Sequence, residues 1–209
     1  LPIDAVPATV ELVTRGTVRM LGHTTLEAME RLPQTPQALA PTPPTSMTAA
    51  KELLQPGDKW AVRDLNCPDN GLHLSNLLKQ GKAIAVSDGS GTAGISTSAF
   101  ILTSRRRKRC KSDQKITGCN VVPGAPQDQN SYRAELGGVM GVVVTLQLLC
   151  KVHSIDSGAI EIGLDGKEAM KAVFADDDPR ANATCCDLIL YIRPKLRKLP
   201  LQVTGRHVK

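Results

Sequence analysis

The chain has 209 residues, enough for one domain of ordinary size plus extensions, and carries a formal net charge of +6. Hydrophobic residues make up 41% and aromatic residues only 2%, so the core must be built from Val, Leu, Ile, Ala and Met. The charge suits a polyanionic partner, although surplus lysine alone produces the same balance. The longest apolar stretch, Leu136–Cys150, is shorter than the roughly 18 residues of a membrane span and contains Gln147. It is expected to be a buried helix, with no membrane partner.

Six cysteines (Cys67, Cys110, Cys119, Cys150, Cys185, Cys186) show neither a CxxC pair nor a zinc spacing with histidine. Their pattern predicts reduced thiols in an intracellular protein, nuclear or cytoplasmic. The sequon Asn182-Ala183-Thr184 carries no weight without a secretory signal. The sequence opens on Leu1, as an excised or incomplete chain would.

In chain order, Thr9–Arg15 and Thr17–Leu21 are expected to be short strands around Gly16. Thr24-Thr25-Leu26-Glu27 has the form of a capping box opening a short helix that Pro33 ends. Residues 33–48, PQTPQALAPTPPTSMT, lack a face that can be buried and predict an extended linker. A lead-in segment follows, with a helical turn at Lys51–Gln55, the only tryptophan at Trp60 and a helix at Leu72–Lys79. This gives an N-terminal extension over residues 1–50, a lead-in over 51–81 that packs on the side of the main domain, and the domain itself over 82–209.

The domain opens on AIAVSDGS. Ala83–Ser87 is a short β-branched run, and Asp88 stands where that strand is expected to stop, with Gly89 and Ser90 supplying a turn. Alone, Asp88 serves equally as a turn initiator. Strands at Ile95–Thr103 and Lys115–Val122 complete an antiparallel meander around a basic turn, Arg105–Lys111. The run SRRRKRCK fits a phosphate-binding finger, a nuclear localisation signal or a solvated hairpin tip.

Ser131 is the expected N-cap of a helix over Tyr132–Val152 that is apolar almost all round, so both its sides should be covered. Gly137, Gly138 and Gly141 weaken that helix but permit close approach of a neighbour. Glu135 is an acid at its start, a position that by itself also offsets the helix dipole. Strand Ala159–Leu164 again closes on an acid, Asp165-Gly166. A helix at Lys167–Phe174, an acidic turn, a helix over Asn182–Arg193 and a strand at Leu199–Val203 follow, and the sequence closes on GRHVK.

Strand–Asp88-Gly89-Ser90, then SYRAELGG with Glu135, then strand–Asp165-Gly166, then strand–HVK, resembles the type I ribonuclease H family, nearest the ribonuclease H domains of retrotransposon reverse-transcriptase polyproteins. The resemblance spans about residues 82–209. It implies an α/β fold with a five-stranded mixed sheet, an antiparallel meander followed by parallel strands, flanked by helices. It implies metal-dependent hydrolysis of the RNA strand of RNA–DNA hybrids, using two Mg²⁺ ions for which Mn²⁺ can substitute. Asp88, Glu135 and Asp165 would hold the metals, since hard cations take carboxylate oxygens. His207 would sit on a mobile loop assisting water delivery or product release. Gly89 and Ser90 would lie near the RNA, where 2′-hydroxyl contacts distinguish it from DNA, and Arg133 would hold a phosphate or the helix start. For Arg133 a solvent-facing position is the plain alternative.

The family also has a fourth acid after the HVK-like motif and a C-terminal helix, both beyond Lys209 here. The chain is thus expected to be truncated or a degenerate remnant, with two functional alternatives beside the enzyme. One is a catalytically impaired nucleic-acid-binding module; the other is an integrase- or resolvase-like nuclease, which SYRAEL and HVK disfavour.

Overall fold

The computed structural model describes residues 9–13, 17–21, 43–92, 94–105, 114–177, 179–180 and 182–208. The capping-box helix expected after Thr24, the linker up to residue 42 and the basic run beyond Arg105 lie outside them. The chain divides into two compact units between Thr42 and Pro43. The first holds a two-stranded antiparallel pair, β1 (Thr9–Val13) and β2 (Thr17–Leu21), with Thr9 opposite Leu21.

The second unit begins with α1 (Met47–Glu52), α2 (Pro56–Lys59), the short edge strand β3 (Asp64–Asn66) and α3 (Leu72–Lys79). The meander follows as β4 (Ala83–Thr92), β5 (Ile95–Ser104) and β6 (Ile116–Val121). Then come α4 (Ser131–Val152), β7 (Ala159–Leu164), α5 (Lys167–Phe174), α6 (Cys186–Arg197) and β8 (Gln202–His207). Among the described residues they form a six-stranded sheet in the order β3-β6-β5-β4-β7-β8. Pairing is antiparallel from β3 to β4 and parallel from β4 through β7 to β8. The expected mixed sheet is present, with β3 from the lead-in added at its edge.

The long helix α4 is apolar nearly all round because both its sides are covered. The sheet takes one side, and α1 and α6 lie on others. By length and composition it could cross a membrane, but here most of it is buried inside the protein. Phe100 sets the distance between helix and sheet: its ring fills the space where Gly118 and Gly141 lack a Cβ. Its N-cap is Asn130, not Ser131, because extended Asn130 accepts a hydrogen bond from the Arg133 amide at 2.8 Å.

Two other boundaries differ from expectation. Helix α6 starts at Cys186 rather than Asn182, since Cys185 has a φ of 56°, which a right-handed helix cannot include. Strand β8 starts at Gln202 rather than Leu199, because its first bond, from the Gln202 amide to the Gly158 carbonyl at 2.9 Å, must lie level with the start of β7. Leu199 and Leu201 instead anchor the preceding turn in the core.

Residues 43–81 belong to the same compact unit as the sheet. Met47, Ala50, Ala61, Val62, Leu74 and Leu78 are core residues. Asn120 on β6 donates to the Ala61 carbonyl at 3.2 Å and accepts from the Ser98 hydroxyl at 2.6 Å. Asp58 on α2, only 4% exposed, accepts from the Tyr191 hydroxyl and the Lys195 ammonium of α6, both at 2.9 Å. Lys195 also stands over the Tyr191 ring, 4.6 Å from its centre. Burial pushes the Cys67 and Cys150 thiols up to about 11, with the Asp69 charge adding to the effect at Cys67. Both therefore stay protonated at neutral pH.

Removing Asp58 leaves a partly buried ammonium and a hydroxyl without their acceptor. Asp58→Ala is expected to lower unfolding stability by about 2–3 kcal/mol. Urea titration followed by circular dichroism would measure this, and an unchanged midpoint would show that α2 is not tied to α6 through this carboxylate.

Candidate active site

Strand β4 does not stop at Asp88. It pairs with β5 through Thr92, whereas its parallel pairing with β7 ends at Ser87 opposite Leu164. Asp88 is thus the first residue beyond the parallel pair, and Asp165 is the first residue after β7. The two acids stand where the parallel pairing of β4 with β7 ends. Gly89 and Ser90 make no turn. Gly89 instead lets the backbone of Ala134 and Glu135 lie directly on the strand, and Gly91 does the same for Asn130 and Ser131. Any Cβ at either position would collide with main-chain atoms of the helix start.

This contact delivers the third acid. Glu135, at the start of the second turn of α4, rests its carboxylate against Gly166, the residue after Asp165, where a side chain would occupy the same space. Burial raises the Glu135 carboxyl above its ordinary value, and the charges of Asp165 and Asp88 raise it further. Asp88 is exposed, and its Oδ1 accepts from the Gly89 amide at 2.8 Å. The structure therefore brings Asp88, Glu135 and Asp165 into one electrostatic neighbourhood. Among the described residues no three carboxylate, imidazole or thiol groups form a set that could hold a metal ion. The donor chemistry still fits a hard divalent cation: three carboxylates share one field, and a cation relieves the repulsion that raises Glu135.

His207 lies on no loop. It closes β8 opposite Leu164, and its Nε2 is 2.9 Å from the Asp165 carbonyl oxygen, because parallel pairing carries the strand to the level of the acids. Its ring thus holds the backbone that carries Asp165. Arg133 neither binds at the groove nor faces solvent. It is 5% exposed, with Nε and Nη2 donating to the Pro123 carbonyl at 2.9 and 2.7 Å and a two-pronged pair to Asp187 at 2.7 and 3.1 Å. The hydrogen bond to Asp187 raises the guanidinium and lowers the carboxyl. All of these contacts anchor the helix start to the loop before it and to α6.

A shallow groove of about 410 Å³ runs from Asp88, Gly89 and Ser90 across the open face of the sheet to Arg63 and Asp64 at the β3 edge. Strand register makes its floor. Asp88 is opposite Ala99, Ala99 opposite Cys119 and Cys119 opposite Asp64, all exposed. Ser90, Thr97 and Val121 form the next rung, with the Thr97 hydroxyl 3.4 Å from the Ser90 carbonyl. This floor was not singled out from the sequence, although the alternation of small and polar residues through Ile95–Ser104 is its signal.

No family model matches the sequence, and no curated protein matches it as a relative. Among solved structures the chain is similar to LC11-RNase H1 in complex with an RNA/DNA hybrid, with a TM-score of 0.47 and 11% identity over 61% of this chain and 85% of that one. It is similar to an N-terminal RNase H domain from Mycobacterium tuberculosis fused to maltose-binding protein, with a TM-score of 0.39 and 8% identity over 60% and 81%. RNase H1 from the archaeon Halobacterium salinarum gives 0.37 and 15% over 61% and 86%.

In this mixed sheet, the acids gather where the parallel pairing ends and a crossover helix begins, a usual place for a site in sheets with parallel strands.

Because the folded-state value of Glu135 lies above its ordinary value of 4.5, folding favours its protonated form. The stability it contributes is full below pH 4.5 and is lost as pH rises through the folded-state value. Glu135→Gln, neutral at every pH, should therefore raise the melting temperature near pH 7 in the presence of a chelator. That gain should vanish below pH 4.5, and thermal melts across this range check it. A variant less stable than the wild type at pH 7 would mean that the acids do not repel one another.

Proposed function

We propose that the chain hydrolyses the RNA strand of RNA–DNA hybrids with the help of divalent metal ions. The observation that carries this is the convergence of Asp88, Glu135 and Asp165 where the parallel pairing of β4 with β7 ends. Asp88, Glu135 and Asp165 would hold the ions, two of Mg²⁺ or of Mn²⁺ by family resemblance. When bound, they supply the positive charge that lowers the pKa of water and stabilises a leaving oxygen.

The remaining work falls to the chain's own groups. Gly89 brings a backbone without side chain beside Asp88, so a nucleic-acid strand can approach the acids closely. The Ser90 and Thr97 hydroxyls offer hydrogen-bond partners on the same face, where a ribose 2′-hydroxyl would distinguish RNA from DNA. The small floor of Ala99, Cys119 and Val121 leaves a flat bed for a duplex. His207 fixes the Asp165 backbone and so positions the third acid. Origin in a retroelement rests on the sequence motifs, and action inside the cell, in nucleus or cytoplasm, on the reduced cysteines.

A second reading is a hybrid-binding module without turnover: Arg63, Ser90 and Thr97 line the groove whether or not the acids hold ions. One comparison separates the two. With Mg²⁺ or Mn²⁺, the wild type should cut only the RNA strand of an end-labelled hybrid, and Asp88→Asn should cut at least about 100-fold more slowly, the loss of several kcal/mol of transition-state stabilisation. The same ions should raise the melting temperature of the wild type and not of Asp88→Asn. Binding without cleavage or metal-induced stabilisation would favour the binding module, and neither binding nor cleavage would remove both.

A further inference from the structure

The open face of the sheet carries a second charged group, away from the acids. Glu161 on β7 has a side chain only 17% exposed, and each of its carboxylate oxygens takes one arginine. Arg105, just after β5, places Nη2 at 3.2 Å from Oε2; Arg206 on β8 places Nη1 at 3.4 Å from Oε1. The two arginine side chains remain 58% and 64% exposed. Two cations meet one anion, so the group keeps a net positive charge. A guanidinium has five N–H donors in a rigid fork, and each arginine is recorded giving one of them to Glu161.

Register fixes where this group stands. Glu161 is opposite Ile84, and Arg206 is opposite Gly163, which is itself opposite Val86. Strand alternation puts Ile84, Val86 and Asp88 on one face, together with Glu161 and Arg206. From Ile84 to Asp88 is four residues of strand, about 13 Å.

We propose that Arg105 and Arg206, braced by Glu161, form a phosphate clamp that holds the backbone of a bound duplex about 13 Å from the position beside Asp88. The clamp rests on the nucleic-acid reading of the site. Exposed ion pairs add little to stability, whereas a carboxylate that pins two long side chains lowers the entropy they lose on gripping a phosphate. Glu161 thus preorganises the fork while its own negative charge opposes the ligand.

The test is binding of a short RNA–DNA hybrid to the full chain, followed by fluorescence anisotropy across a salt series, with divalent ions chelated so that no strand is cut. Replacing both arginines, Arg105→Ala with Arg206→Ala, should weaken binding about tenfold near 0.1 M salt. It should also reduce the slope of log affinity against log salt by about 2, one unit per lost phosphate contact. Removing both cations leaves the mostly buried Glu161 carboxylate unpaired, so the double variant is also made together with Glu161→Gln. This triple variant should keep the wild-type melting temperature and still bind about tenfold more weakly than Glu161→Gln alone. A double variant with wild-type affinity and salt slope overturns the clamp while leaving the proposed function standing. A triple variant that loses thermal stability along with binding makes the trio structural and also overturns it. A wild-type chain that binds no hybrid overturns both the clamp and the function it rests on.

Discussion

The contact between two backbones, β4 at Gly89 and Gly91 and the first turn of α4, is the constraint on which the rest of the site depends. With no Cβ at either position, main chain lies on main chain. That distance puts Glu135 within the field of Asp88 and lets its carboxylate reach over Gly166 beside Asp165. A methyl group at Gly89 would meet Ala134 and Glu135 backbone that cannot yield as a flexible side chain does. Three glycines around one helix start thus convert acids far apart in the chain into neighbours.

Buried polar anchors keep that helix in place. Arg133 binds the loop before α4 through Pro123 and the start of α6 through Asp187, so its charge serves position and not ligand. Asn120 and Ser98 join β5 and β6 to the Ala61 carbonyl of the lead-in, and Asp58 joins the lead-in to α6. Each anchor satisfies groups whose burial alone would be unfavourable. Residues 43–81 are therefore structural members of the domain, supplying core side chains and the edge strand that forms the far rim of the groove.

Charge is sorted along one face of the sheet. The acids stand where the parallel pairing ends, Arg63 stands at the β3 edge, and Arg105 and Arg206 stand toward the opposite end of β4. Between them lie small, mostly uncharged residues. Carboxylates crowded at one end, with two arginines around Glu161 toward the other, make a surface that repels an anion locally and attracts it on that side, while Arg63 is paired with Asp64 at the β3 edge. A polyanion that also brings cations to the acids satisfies both parts of this pattern.

Much of this was legible in the sequence. Short apolar, β-branched runs at Ala83–Ser87 and Ile95–Thr103 and the apolar stretch after Ser131 were enough to place the meander and the long helix, because these signals are local. The grouping of Asp88, Glu135 and Asp165 came from the resemblance, since locally each acid also suits a turn or a helix start. The glycine after Asp88 lies within a strand and not at the expected turn: a turn and a close helix contact call for the same residue, and only the partner distinguishes them. Arg133 could not be assigned from sequence, since its partners Pro123 and Asp187 meet only when α6 returns to the helix start. The groove floor, the edge strand β3 and the pairing of Arg105 and Arg206 with Glu161 likewise depend on strand order and register. The sequence by itself determined which segments are strands and helices, through periodicity and turn chemistry. Tertiary structure alone decided which side chains meet, because contacts between residues tens of positions apart are set by how the elements pack.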